Sequence, residues 1–204
     1  MKTRIILPDT DGISEAGAIL RSGGLVAFPT ETVYGLGANA LDATATKHIY
    51  EAKGRPSDNP MIVHVANIDM LNGVASGVTD EQKSLMSKLW PGPITFVLRK
   101  NSGVPDVTTG GLDTVAVRWP SRREAAEIIE AAGVPIAAPS ANISGKPSPT
   151  TFEDVAEDMD GRIDAIVKGE RTAIGIESTV LDLTSEVPTI LRPCLLYTSP
   201  SPRD

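Results

Sequence analysis

Apolar positions along this chain alternate between two rhythms, one with the period of a helix and one made of short unbroken runs. Residues 9–22 place Ile13, Ala16, Ile19 and Leu20 at helical spacing, with Asp9 or Asp11 as the cap and Gly23-Gly24 as the stop. The apolar run at 25–28 then reads as a strand whose ladder Pro29 ends. The helical period returns at 43–52, and 61–65 is again an apolar strand run. Residues 79–89 form an amphipathic helix capped by Thr79 or Asp80 and closed at Trp90-Pro91-Gly92-Pro93. Strand patterns follow at 94–98 and 114–118, then a helix over 121–132 with Ser121 as its cap. The remaining segments are a short strand at 134–138, a capped helix at 151–159, and strands at 165–167, 178–183 and 189–191. Strands alternating with helices, with no repeat and no linker, predict one α/β unit built on a twisted, mixed sheet flanked by helices.

The segments after the strands matter most. PTETVYGLGANA (29–40) combines hydroxyls at Thr30 and Thr32 with Gly35 and Gly37, at the strand end where α/β sheets hold ligands. EAKGRPSDNPMIVH (51–64) presents Lys53, Arg55, Asn59 and His64 on a stretch that Gly54, Pro56 and Pro60 prevent from being helical throughout, which reads as an anion-binding loop feeding a buried strand. PSANISGKPSPTT (139–151) is dense in small hydroxyl and amide side chains.

Composition narrows the chemistry. The 204 residues are enough for a sizeable core, 41% of them are apolar, and aromatic residues are few, so the core is aliphatic. A net charge of −7 argues against non-specific coating of nucleic acid. No apolar run approaches the roughly 20 residues a membrane span requires, and the opening residues do not read as a signal peptide, so the expected location is cytoplasmic with no membrane partner. One cysteine, Cys194, rules out a disulfide framework, and two histidines far apart give no zinc spacing, which leaves a magnesium ion carried by a nucleotide as the metal to expect.

Walker loops, dinucleotide fingerprints and nucleophile elbows are absent from the sequence. The three loops pool hydroxyls, cations and carboxamides without a protein nucleophile, an inventory that suits a phosphate chain and a small polar substrate reacting by positioning and charge neutralisation. Each residue also has a plainer reading. Lys53 and Arg55 serve equally well as cations closing a helix, Ser140 and Asn142 as turn residues, His64 as a core histidine, Thr32 and Ser178 as strand-end hydroxyls, and Arg118 as a solvated strand arginine.

Taken together and in order, PTETVYGLG, AKGRPSDNPMIVH, WPGPITFVL, GLDTVAVRWP, PIAAPSANISGKPSPT, GIESTVLDL and ILRP resemble the threonylcarbamoyl-adenylate synthase family over residues 12–193. The resemblance implies a YrdC-like fold with a concave cavity. It also implies a nucleotidyl transfer in which L-threonine, bicarbonate and ATP, with magnesium, give threonylcarbamoyl-AMP and pyrophosphate. Partner proteins then carry the threonylcarbamoyl group to an adenosine of tRNA, and a weak direct contact with tRNA stays open. Carried over by position, the family's catalytic set falls on Lys53, Arg55, Ser140 and Asn142. Its ATP-binding positions fall on Arg55, Asn59, Thr114, Ser140, Ser148 and Arg192, and its threonine-binding positions on Thr32, His64, Arg118 and Ser178.

Two rivals stand beside this reading, a module of the same fold that binds double-stranded RNA or tRNA and the related domain of hydrogenase-maturation carbamoyltransferases. From Cys194 onward CLLYTSPSPRD loses both rhythms, so the expected organisation is a catalytic domain over 1–193 and a tail, 194–204, foreign to it.

Overall fold

The computed structural model describes residues 2–194, so all of the expected tail beyond Cys194 lies outside the described residues. In chain order the elements are β1 (Arg4–Ile6), α1 (Thr10–Arg21), β2 (Val26–Pro29), β3 (Tyr34–Asn39), α2 (Ala43–Lys53), β4 (Ile62–His64), α3 (Ile68–Val74) and α4 (Asp80–Leu89). They continue with β5 (Ile94–Arg99), β6 (Thr114–Arg118), α5 (Arg123–Ala132), β7 (Ile136–Ala137), α6 (Phe152–Met159), β8 (Ala165–Val167), β9 (Thr179–Asp182) and β10 (Thr189–Arg192). All the strands join one mixed sheet in the order β1-β8-β2-β3-β7-β4-β6-β5-β9-β10.

Most of the predicted elements are present, and the departures have local causes. Asp9 caps α1 through Gly12, while Asp11 sits inside the first turn. Thr79 and Thr151 each close a capping box, on α4 and α6. Ser121 caps nothing: α5 starts at Arg123, and the cap position belongs to Arg122, whose guanidinium clasps Glu124 in the first turn. Pro29 does not end the ladder but forms the last rung of β2, opposite Tyr34. Tyr34 gives its N–H to the Pro149 carbonyl on the other side, so that rung asks no N–H of the proline.

β3 was hidden by its glycines. Gly37 is there for space: a Cβ at that position would lie 2.7 Å from the Phe28 ring and 2.9 Å from Ile136. β1 and α3, the other unpredicted elements, have three and seven residues, too few to show a period.

Two cores lie on opposite faces of the sheet. One gathers Val63, Phe96, Leu98, Val115 and Val117 with Ile49, Leu71, Met86 and Val155, from the side of α2, α3, α4 and α6. The other packs Ile13, Leu20, Ile128 and Ile129 of α1 and α5 on Val26, Phe28, Ile136 and Val167. The second helix layer is narrow: α1 and α5 pack against each other and over β2, β3 and β8. His64 pairs with Ile136, at the border of that covered area. Beyond it the same face of β4, β6, β5 and β9 carries no helix, and a cavity opens there.

Candidate functional site

The cavity has a volume of about 420 Å³, and its floor is the uncovered half of the sheet. Because direct neighbours in a sheet share a face, the register brings Ile62, Ala116 and Val97 into one row and His64, Arg118 and Thr95 into the next. The alternate residues, Val63, Val117 and Phe96, are buried in the core beneath. The long axis follows β4 and β6: Asn59 and Thr114 lie where these strands begin, and His64 and Arg118 where they end.

The three loops read from the sequence converge on this floor, with Thr30 and Thr32 from the first, Arg55 and Asn59 from the second, and Pro139 and Ser140 from the third. Glu177, Asp182 and Arg192 add a fourth wall from the β9 and β10 side. Of the expected site residues, Thr32, Arg55, Asn59, His64, Thr114, Arg118, Ser140 and Arg192 line the cavity. Lys53, Asn142, Ser148 and Ser178 do not; each instead holds a residue or loop that does.

Arg118 is only 3% exposed. Its Nη1 donates to Thr32 Oγ1 at 2.9 Å, and its Nη2 lies 2.7 Å from a carboxylate oxygen of Glu31. Thr32 Oγ1 shares a hydrogen bond of 2.9 Å with Thr30 Oγ1, which donates to the Val33 carbonyl, so the tight turn between β2 and β3 fixes the arginine. Beside it His64 is buried with no partner for Nδ1. Burial, reinforced by the Arg118 charge, pushes its ring down to about 3, so it is neutral at physiological pH.

Lys53 is the last residue of α2, which the left-handed Gly54 ends, and its side chain does not line the cavity. Its ammonium donates to the Ser140 carbonyl, to the Asn142 carbonyl at 2.6 Å and, more weakly, to Asn142 Oδ1 at 3.4 Å. Burial, then the Arg55 charge, pushes it down to about 8, while Glu177 and Asp158 pull the other way. Asn142 in turn donates to the Ile143 and Lys146 carbonyls, and Asp158 accepts from the Ile143 N–H and the Lys146 ammonium. The cavity-facing loop at 140–146 is thereby held from behind by α2 and α6.

On the opposite wall Arg192 donates to the Ser178 carbonyl at 2.9 Å and to Ser178 Oγ at 3.1 Å, and Ser178 Oγ shares a bond of 2.7 Å with Thr95. Ser148 donates to Glu177 at 2.8 Å, and Arg192 approaches the second Glu177 oxygen at 3.8 Å. Arg55 spans its own loop to the Pro60 carbonyl at 3.1 Å and leaves its Nε without a partner.

Sequence reasoning missed the acids at this site, among them Glu31 and Glu177. Both stand inside the quoted motifs PTET and GIEST, and a glutamate among small hydroxyl residues before a strand was the signal available. Among the described residues no group of three or more His, Cys, Asp or Glu could hold a metal ion, and no helix is long and apolar enough to cross a membrane.

Comparison with known proteins places this arrangement among relatives. A family model covering Sua5, YciO and YrdC, described as telomere recombination, matches residues 18–194. Threonylcarbamoyl-AMP synthase of Pyrococcus abyssi is 58% identical over 178 residues, which cover 87% of this chain and 52% of that protein. The Bacillus subtilis enzyme of the same name is 54% identical over 182 residues, covering 89% and 53%. The chain therefore spans about half the length of these curated relatives. The crystal structure of P. abyssi Sua5 complexed with L-threonine superposes with a TM-score of 0.91 at 55% identity, over 94% of this chain and 57% of that one.

Proposed function

This chain belongs to the Sua5/YciO/YrdC family, and on that premise we propose that it forms threonylcarbamoyl-AMP and pyrophosphate from L-threonine, bicarbonate and ATP. The observation that carries the reading is the Arg118 guanidinium. It is buried at one end of the cavity, and among the described residues its Nε–H and Nη2–H edge makes no hydrogen bond, its one neighbour there being the ion-paired Glu31 carboxylate beside Nη2. That edge is the planar fork that accepts a carboxylate in two parallel bonds. Thr32 and the neutral His64 stand beside it for the hydroxyl of threonine, and Ser178, reached through Thr95, supports the same end.

The other end suits a nucleotide. Arg55, Asn59, Thr114, Ser140 and Arg192 line the cavity around it, and Ser148 is one bond behind through Glu177. Arg55 and Arg192 supply charge where the leaving pyrophosphate gains it. Lys53 and Asn142 act by holding the 140–146 loop in place, so the catalytic set works as a wall and its anchor. A magnesium ion, if it arrived with the ATP phosphates as part of the substrate, would lower their negative charge.

The threonine amine, once neutral, attacks the bicarbonate carbon and water leaves. An oxygen of the resulting carbamate then attacks the α-phosphorus, and pyrophosphate leaves. Both nucleophiles belong to the substrates, so no protein nucleophile is needed. Threonylcarbamoyl-AMP would pass to partners that modify tRNA.

In a pyrophosphate-release assay with magnesium-ATP and bicarbonate, the chain is expected to depend on threonine. Release at the same rate without threonine overturns the assignment.

A further inference from the structure

Seven buried side-chain nitrogen or oxygen atoms lack a hydrogen-bond partner among the described residues, and five of them belong to Glu31, His64 and Arg118. Both oxygens of Glu31 are among them, although the residue is only 9% exposed. Oε1 lies 2.7 Å from Arg118 Nη2 but off the line of its N–H groups, so the pair attracts without a hydrogen bond. The backbone that carries Glu31 is fixed: its carbonyl accepts the Ile174 N–H at 3.0 Å and the Thr32 carbonyl accepts the Gly175 N–H at 2.9 Å. Glu31 itself lies just behind the cavity wall, which its neighbours Thr30 and Thr32 and its partner Arg118 line.

A buried carboxylate with two idle acceptors lacks a donor, and charge balance says which kind. Arg118 and Glu31 together are neutral, and His64 adds no charge. A ligand bringing only a carboxylate would leave this buried end with an uncompensated negative charge, which is costly at low dielectric. A ligand bringing a carboxylate and an ammonium on the same carbon keeps it neutral and fills both sets of idle atoms.

We propose that Glu31 receives the ammonium group of the α-amino acid whose carboxylate Arg118 takes, so that this end of the cavity reads a zwitterion. The proposal rests on the threonine reading and adds to it a residue and a rule of substrate choice. Amino acids are admitted here, and the corresponding hydroxy acids without the amine are refused.

Calorimetry with L-threonine and with 3-hydroxybutyrate, which is threonine without its amino group, tests it. The unmodified chain should bind threonine at least about tenfold more tightly, and Glu31→Gln should erase most of that preference by weakening threonine while sparing 3-hydroxybutyrate. Equal affinity of the unmodified chain for the two ligands overturns the proposal. So does an equal loss of both in Glu31→Gln, which marks a residue that only holds Arg118. Should that variant not fold, Glu31→Asp carries the test: it withdraws the charge by one carbon and should narrow the preference, and an unchanged preference overturns the idea. An unmodified chain that binds neither ligand fails differently, since it removes the amino-acid reading itself.

Discussion

At the scale of single residues the site is a set of ionisable groups held in unusual states. His64 shows the most directly measurable one. Its ring, ordinarily near 6.5, titrates in the folded chain only at about 3 because burial and Arg118 resist its charge. Between those values the unfolded chain binds a proton that the folded chain refuses, so stability falls as pH drops through this window and is fully present above it. From pH 6.5 to 4.5 the unmodified chain should lose about 2 kcal/mol more than His64→Gln, judged by urea titration of both. Equal losses would show that the ring is not buried neutral. Local sequence marked Lys53, Arg55, Asn59 and His64 as an anion-binding loop, but their separate roles came only through resemblance to a family, because periodicity makes His64 an ordinary core residue and Lys53 an ordinary helix-end cation. What the sequence could not display is that Lys53 faces backward into a loop 87 residues away, or that Glu31 stands against Arg118 across the sheet.

At the scale of elements, legibility followed length and signal. The capped helices α4 and α6 and strand β6, with its alternation at Val115 and Val117, were readable because caps and periods are local. β3 was not, since its Gly37 answers to Phe28 and Ile136, which come near only in the folded chain. Gly17 makes the same point within a helix. A Cβ there would fall 2.6 Å from the carbonyl carbon of Ala131 and 2.7 Å from the amide of Ala132, both backbone atoms of or beside α5 that cannot step aside. Gly17→Ala should therefore force α1 and α5 apart and cost about 1–3 kcal/mol despite the better helix former, a change readable as a lower urea midpoint. A higher midpoint would mean that the two helices separate freely.

At the scale of the whole molecule, the alternation of rhythms was enough to predict an α/β sheet but not its order, because pairing across the sheet is decided by contacts between distant segments. The order has a mechanical result. Among the described residues β10 pairs in the sheet only with β9, and β9 otherwise only with β5, so a single strand ladder joins the wall carrying Glu177 and Arg192 to the sheet, with Ile190 and Leu191 exposed at its rim. Hydrogen exchange should be faster in Thr189–Arg192 than in β6. It should slow there by about tenfold or more when threonine and magnesium-ATP are both present, with α1 unchanged. Uniform slowing along the chain would instead report a general gain in stability. The Lys53 anchor works on the facing wall by other means. Its closest acceptors there are peptide carbonyls, a feature that twenty amino-acid types share, so the lysine's hold on the loop asks for no particular side chain at position 140. A search for pairs of positions that change together would pass over it. A protein engineer, for the same reason, could vary the Ser140 side chain to explore new nucleotides while the anchor stayed in place.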